Sequence, residues 1–362
     1  MHSKIFPLLF SLLFFFFLFE TGSCLLAKKG LIPRDLPNYS LKQVRSTFWV
    51  EIDPVVGTWH APHSSYRHRR SCFDVEYRAN SFGMRDREQT LTSDKPRSVI
   101  LGDSFVEGYG MEEEKRISNM LEKIRGRETL NFGTSGFFGP TEYYLLYQHL
   151  AKKFSHDEVI VGIYPNNDFT DDDYDYLKKD GRYKPFFVGT YPDYKIVYTA
   201  DRPRGLQGSF LRSLKGFFRE YTYSYSSVAY LIRLYRFKTE RIMNTPKGEI
   251  FSGFYDFTPE AWDRTRYALE KLVEEAGGKK VAVFLIPSIT DLKRYGRQGR
   301  SPLSAKMEEF ARTHPVTLID LLPYLHDFSK DWEKYYDVPC DHHFSEYGSE
   351  VVARYIQSKL GQ

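Results

Sequence analysis

The chain has 362 residues, 41% of them hydrophobic and 17% aromatic, enough to bury one elaborated domain or two small ones, which excludes intrinsic disorder. Its 51 Lys and Arg stand against 47 Asp and Glu, a net charge of +4. That charge is spread along the chain without long cationic blocks, so no nucleic-acid partner is expected.

At the N-terminus, His2 and Lys4 precede the uncharged run "IFPLLFSLLFFFFLF" (5–19), followed by Glu20 and the small residues "TGSC". The pattern has the n-region and h-region of an export signal and is shorter than the roughly 20 apolar residues of a comfortable membrane span. Residues 1–27 are therefore read as a signal peptide or an N-terminal anchor. The apolar run resumes in "CLLA", which keeps an uncleaved anchor open. Cys24 is similar to a lipoprotein cleavage site, with Thr21 where a Leu is usual. An exported protein of the periplasm or cell envelope is expected, with membrane association through this segment where it is retained or lipidated. In such a compartment Cys72 and Cys340 can pair as a disulfide, and the alternative is two unrelated buried thiols.

Residues 28–96 are rich in Pro, His, Arg and aromatics and read as an irregular lead-in, partly β, with an alternating patch at 73–79. From residue 97 the texture becomes a βα rhythm. Strands are expected at 97–102, 128–133, 157–164, 279–287 and 315–321, and helices at 116–125, 141–154, 258–277, 302–313 and 345–360. Short, continuously apolar strands between amphipathic helices predict an α/β fold with a parallel sheet covered on both faces. A single domain over 97–362 is interrupted by an insertion at 169–257, acidic at first and then basic and aromatic. Val228, Leu231, Ile232 and Tyr235 share one helical face there, which reads as the core-facing side of a cap. The other reading sets the Arg and Lys face of that helix against a membrane surface or an acidic glycan.

Ligands of such sheets bind beyond the carboxyl ends of the strands. Ser104, Gly136, Asn167 and the loop 337–345 all follow strand ends and should converge on one edge. A serine needs a base to take its proton, a carboxylate to orient that base and donors for the oxyanion. "GDSF" (102–105) offers Ser104 with its own N–H at a helix start, "NFGTSGFFG" (131–139) offers the N–H of Gly136, "NND" (166–168) offers the Asn167 amide, and "DHH" (341–343) offers Asp341 with a histidine. Each has a structural reading as well. Asp103 or Ser104 can be a helix cap, Asn-Asn-Asp is common loop chemistry, and Asp-His-His can be a surface loop or a metal site. His60, His63 and His68 lack ligand spacing, so no metal site and no cofactor are read.

Together, Gly-Asp-Ser, Asn-x-Gly-x-x-Gly, Asn-Asp and Asp-x-His before a C-terminal helix resemble the SGNH (GDSL-type) hydrolases. "NSFGMRD" (80–86) ahead of "VILGDSFVEGYGM" is similar to their exported or membrane-anchored bacterial branch. The resemblance covers 80–168 and 280–358. It implies a three-layer α/β/α sandwich around a five-stranded parallel sheet of flavodoxin-like type. It implies Ser104 as nucleophile, His343 as base, Asp341 as orienting acid, and the Ser104 N–H, Gly136 and Asn167 as oxyanion donors. It further implies a serine esterase acting on an acylated carbohydrate, with O-acetyl on an envelope or extracellular polysaccharide the simplest candidate. An O-acyltransferase and a catalytically idle glycan-binding scaffold are the alternatives. Two departures stand out: Phe105 replaces the Leu of Gly-Asp-Ser-Leu, and only the Asp-x-His spacing fits, leaving His342 to a loop role. The lipase-type Gly-x-Ser-x-Gly elbow is absent.

Overall fold

Runs such as Val99-Ile100-Leu101 and Val159-Ile160-Val161 have no polar side to give to water, so they are stable only in a sheet covered on both faces. The computed structural model describes residues 2–40, 45–205, 210–239, 243–246, 249–338 and 340–361. It places those runs in a sheet of β1 (Arg97–Gly102), β2 (Glu128–Gly133), β3 (Glu158–Ile163), β4 (Lys280–Leu285) and β5 (Val316–Asp320). All pairings are parallel and the order is β5-β4-β3-β1-β2. From the other edge this is 2-1-3-4-5, the flavodoxin-like doubly wound order, whose switch point lies between β1 and β3. Every residue of β1 and β3 is buried, whereas the edge strand β5 is only partly covered.

Right-handed crossovers put the helices in two layers. Ile117–Arg125 packs with the closing helix Glu346–Leu360, and Pro140–His149 packs with Pro259–Ala276 on the other face. The expected α/β sandwich is thus present, with further helices that include Pro165–Asp171 after β3 and two longer ones. Ile289–Gln298 starts on a capping box of Ser288 and Asp291, and Leu321–Phe328 follows β5 without a linker on an Asp320 cap. The first is masked in the sequence by its polar content and the second by Pro323 and its direct continuation from a strand.

The lead-in forms two hairpins, Trp49–Asp53 with Gly57–His60 and Ser65–Arg69 with Asp74–Arg78. The first reaches under the loop after β1. His60 is fully buried, its Nδ1 is 2.8 Å from the Gly83 carbonyl and its Nε2 is 2.9 Å from Glu107 Oε1. The Thr134 hydroxyl also lies 3.2 Å from Nε2. Burial pushes the Glu107 carboxyl up, but the hydrogen bond and charge of His60 outweigh it and hold the group below its usual range. The Trp49 indole and the Ser135 hydroxyl also donate to Glu107, so one carboxylate ties the lead-in to the loops after β1 and β2.

Within the insertion, the hairpin Pro185–Thr190 with Asp193–Tyr198 precedes helices Phe210–Tyr221 and Tyr223–Thr239. Residues 206–209, 240–242 and 247–248 of the insertion lie outside the described residues. The expectation of a core-facing stripe is overturned: Val228, Leu231, Ile232 and Tyr235 are 46%, 60%, 52% and 72% exposed. That helix is covered only along its first turns, at Tyr223, Ser224, Ser226 and Ser227, and the stripe lies beyond them. Small serines allow the close approach to the N-terminal helix, His2–Lys28, against which it packs.

Replacing His60 by Leu strips the partner from a buried carboxylate and should cost about 3–5 kcal/mol. A fall in chemical-denaturation stability of that size is expected; unchanged stability would show that the pair contributes nothing.

Candidate active site

The turn after β1 is set by Asp103, not by Ser104. The Asp103 side chain accepts the Phe105 N–H at 2.9 Å and caps the short helix Ser104–Glu107, which Gly108 ends in the left-handed conformation. The serine hydroxyl is therefore free of capping, and Ser104 Oγ lies 2.7 Å from His343 Nε2, 239 residues away in sequence. Gly133 is required for this approach. A Cβ there would stand 2.3 Å from the Glu107 backbone N, so only glycine lets the end of β2 lie against the helix that carries Ser104.

His343 is held on every side. Its ring stacks on Tyr109 at 4.5 Å between centroids and 22° between planes, and Phe105 lies 4.8 Å away. Asp341 Oδ1 accepts both the His343 backbone N–H at 3.0 Å and ring Nδ1 at 3.1 Å. A carboxylate at Nδ1 fixes the proton there, leaving Nε2 to accept from the Ser104 hydroxyl. Burial raises the Asp341 carboxyl, but His343 and then Arg70 outweigh it and hold the group ionised, below its usual range. His342 is exposed with φ +67°, the tight turn that swings its neighbour inward.

Arg70 is the residue that motif reading misses. Its Nη1 is 3.3 Å from Asp341 Oδ2, its Nη2 donates to the Tyr109 hydroxyl at 2.6 Å and its Nε to Asp35 at 2.9 Å. It thus supports the acid and the ring stacked on the histidine at once. Cys72 and Cys340 form a disulfide with a Cα separation of 6.1 Å, tying the hairpin turn that carries Arg70 to the loop that bears Asp341. The only trace of Arg70 in the sequence is its place two positions before a cysteine that can pair beside Asp341.

Gly136 has φ +105°, half-buried, with no atom within 4 Å of where a Cβ would be. It faces open space, and the next residue, Phe137, is exposed beneath the Arg182 guanidinium of the insertion, 4.0 Å from the ring. No hydrogen bond engages the backbone N–H of Ser104 or Gly136 among the described residues. Asn167 differs from its expected role. Its Nδ2 donates to Asp103 Oδ2 at 3.2 Å and to Asp171 Oδ2 at 3.1 Å, so both amide hydrogens are engaged, while its Oδ1 is buried without a partner.

Behind these loops lies a buried carboxyl cluster, Asp103, Asp168, Asp171, Asp172 and Glu142, in which Lys184 donates to Glu142. Burial is the dominant cause of the shifts. It pushes Asp103 up to about 6, Asp171 up to about 7 against the pull of Lys184, and Glu142 up to about 8, likewise against Lys184. Asp168 is raised well above its ordinary value by burial and then by Asp103. This cluster sits beside the sheet's switch point, and Tyr143 shares it through a 2.8 Å hydrogen bond to Asp168.

No protein-family model matches the sequence, and no curated protein matches it. Among solved structures the chain is similar to a lipase/acylhydrolase from Enterococcus faecalis, at 13% identity and TM-score 0.37, covering 73% of this chain and 95% of that one. It is similar to a member of the lipolytic G-D-S-L family from Veillonella parvula, at 12% identity and TM-score 0.38, covering 74% and 98%. It is also similar to the lipase Lip_vut3 from a goat rumen metagenome, at 14% identity and TM-score 0.35, covering 73% and 97%.

The carboxyl cluster sets a pH dependence of stability. A carboxyl held at about 7 when folded, against about 4 in the unfolded chain, gives the folded state the extra proton between those values. Stability from Asp171 is therefore full below about pH 4 and lost as pH rises through about 7. Asp171→Asn should flatten the fall in melting temperature across that window. An identical slope in the variant would show that Asp171 ionises normally.

Proposed function

We propose that this chain is an SGNH-type serine esterase that cleaves acyl esters through an acyl-Ser104 intermediate. The single observation that carries the reading is the 2.7 Å contact of Ser104 Oγ with His343 Nε2, on a ring whose Nδ1 is already committed to Asp341. A histidine in that tautomer is a general base aimed at the hydroxyl.

In the first half-reaction Nε2 takes the Ser104 proton as Oγ adds to the ester carbonyl. The tetrahedral oxyanion is received by the unengaged amides of Ser104 and Gly136. Asn167 adds a third donor once one of its hydrogens leaves Asp103 or Asp171, and protonation of either carboxyl loosens that bond. Collapse breaks the acyl carbon to alkoxide bond, and His343 gives its proton to the departing alcohol. Water then adds to the acyl-serine while His343 takes its proton. A second collapse frees the carboxylic acid and returns the proton to Ser104.

For the substrate we propose an O-acyl group, simplest as acetyl, on an envelope or extracellular polysaccharide. Two features support this class. Ser104, Gly136 and His343 are half-exposed, which suits an ester displayed on a large molecule. Phe137 offers an exposed ring beside the Arg182 cation, a surface fitted to a sugar face and its hydroxyls.

A fluorophosphonate probe should label the wild-type chain and spare Ser104→Ala, and acetylated polysaccharide should release acetate with the wild type only. Labelling of both chains, or of neither, would overturn the catalytic reading; labelled acetyl moved to a second glycan instead of water would make the enzyme a transferase. Asp341→Asn should keep the fold and lower turnover by orders of magnitude. Arg70→Met removes a charge-assisted hydrogen bond of about 1.5–3 kcal/mol and should lower kcat by about 10–100-fold with little change in KM. An unaltered kcat would remove Arg70 from the support of the acid.

A further inference from the structure

The N-terminal helix is built into the domain. Residues from Ile5 to Phe19 are exposed, but burial begins at the next turn, where Ser23 and Ala27 are buried. There the Glu20 carboxylate accepts the backbone N–H groups of Tyr223 at 2.6 Å and Ser224 at 2.9 Å. One side chain of the apolar helix thus satisfies two orphan donors at the start of helix Tyr223–Thr239, with the favourable sign for the helix dipole. Below it, Ala27, Ile32 and Tyr223 form a small core of their own with Cys24, Leu36 and Tyr230. The contact continues where Ser226 donates to the Asp35 carbonyl at 2.8 Å and Arg34 to the Ala229 carbonyl at 3.3 Å. Removal of residues 1–23 as a signal would leave the first turn of an internal helix without its cap.

Both insertion helices expose large apolar side chains. On Tyr223–Thr239 the buried positions lie in the first turns, at Tyr223, Ser224, Ser226 and Ser227, and the stretch beyond them exposes Val228, Leu231, Ile232, Leu234 and Tyr235. On Phe210–Tyr221, Phe210, Leu214, Phe217 and Phe218 recur at the helical period and are 79%, 40%, 44% and 42% exposed. Helix Tyr223–Thr239 packs against the N-terminal helix around Glu20, Cys24 and Ala27, next to its exposed apolar run, and the 24 residues from Ile5 to Lys28 are long enough to cross a bilayer. Exposed cations, Lys28, Lys29, Lys215 and Arg233, lie on the same elements. Apolar faces with interspersed Lys and Arg match the acyl boundary and anionic headgroups of a lipid surface.

We propose that the N-terminal helix is retained in the mature protein as a bilayer anchor and that helices Phe210–Tyr221 and Tyr223–Thr239 dock beside it into an anionic lipid surface. The domain is then held to the membrane by three helices, in a fixed orientation.

The test uses the full-length chain carrying Cys24→Ser, reconstituted in vesicles of phosphatidylcholine with phosphatidylglycerol and spin-labelled at Phe217→Cys, Ile232→Cys or, as a water-facing control, Lys330→Cys. The expected result is an oxygen-to-nickel accessibility ratio several-fold higher at 217 and 232 than at 330, falling in vesicles of phosphatidylcholine alone. Ratios equal to the control would overturn the docking. Spin–spin broadening between labels on separate chains would assign the face to a second copy and overturn it too. Intact mass of the wild-type chain from membranes should include residues 1–28, whereas a chain starting between Gly22 and Lys28, or one lipidated at Cys24, would overturn retention.

Discussion

The Asp341 carboxylate is the constraint on which the site depends. It is almost wholly removed from water, and an isolated charge in such a place would neutralise itself by taking a proton. It stays ionised because both oxygens are spoken for, one by two N–H groups of His343 and the other by Arg70. The ionised state in turn fixes the imidazole tautomer, and the tautomer decides that Ser104 meets an acceptor. The distant Asp35 belongs to this chain of causes, since it neutralises the same guanidinium on its far side.

Much of this was legible before any coordinates. Continuous apolar runs alternating with amphipathic helices pointed to the parallel sheet, because such strands need cover on both faces and the crossover helices supply it. The four loop blocks could be placed on one edge, since every parallel strand ends there. The limits of that reading lie where contact is long-range. Arg70, Tyr109 and the His60 pair with Glu107 carry no motif, and nothing local tells a solvated arginine from one folded against an acid 271 residues away. The stripe of Val228, Leu231, Ile232 and Tyr235 is helical as expected but uncovered. Periodicity reports that a face is apolar and is silent on what covers it.

Asn167 shows a different kind of limit. Its residue type and place after β3 suit an oxyanion donor, yet in the resting site its amide is shared between two carboxyls. Those carboxyls belong to the cluster that burial pushes towards neutrality, with Lys184 as its cation. That amide is thereby coupled to the protonation of Asp103 and Asp171. Lys184 comes from the start of the insertion, so that segment reaches the site electrostatically as well as through Arg182.

The bridge between Cys72 and Cys340, together with Arg70, makes the irregular lead-in part of the apparatus at the sheet's edge. Architecture and operation therefore have different boundaries in this chain. The strands and their crossovers would survive as a recognisable unit if the first ninety or so residues diverged beyond likeness. The acid would then have lost its counter-charge and its loop its tether. Descendants sharing every signature block could part ways in competence through drift in a stretch that bears none of them.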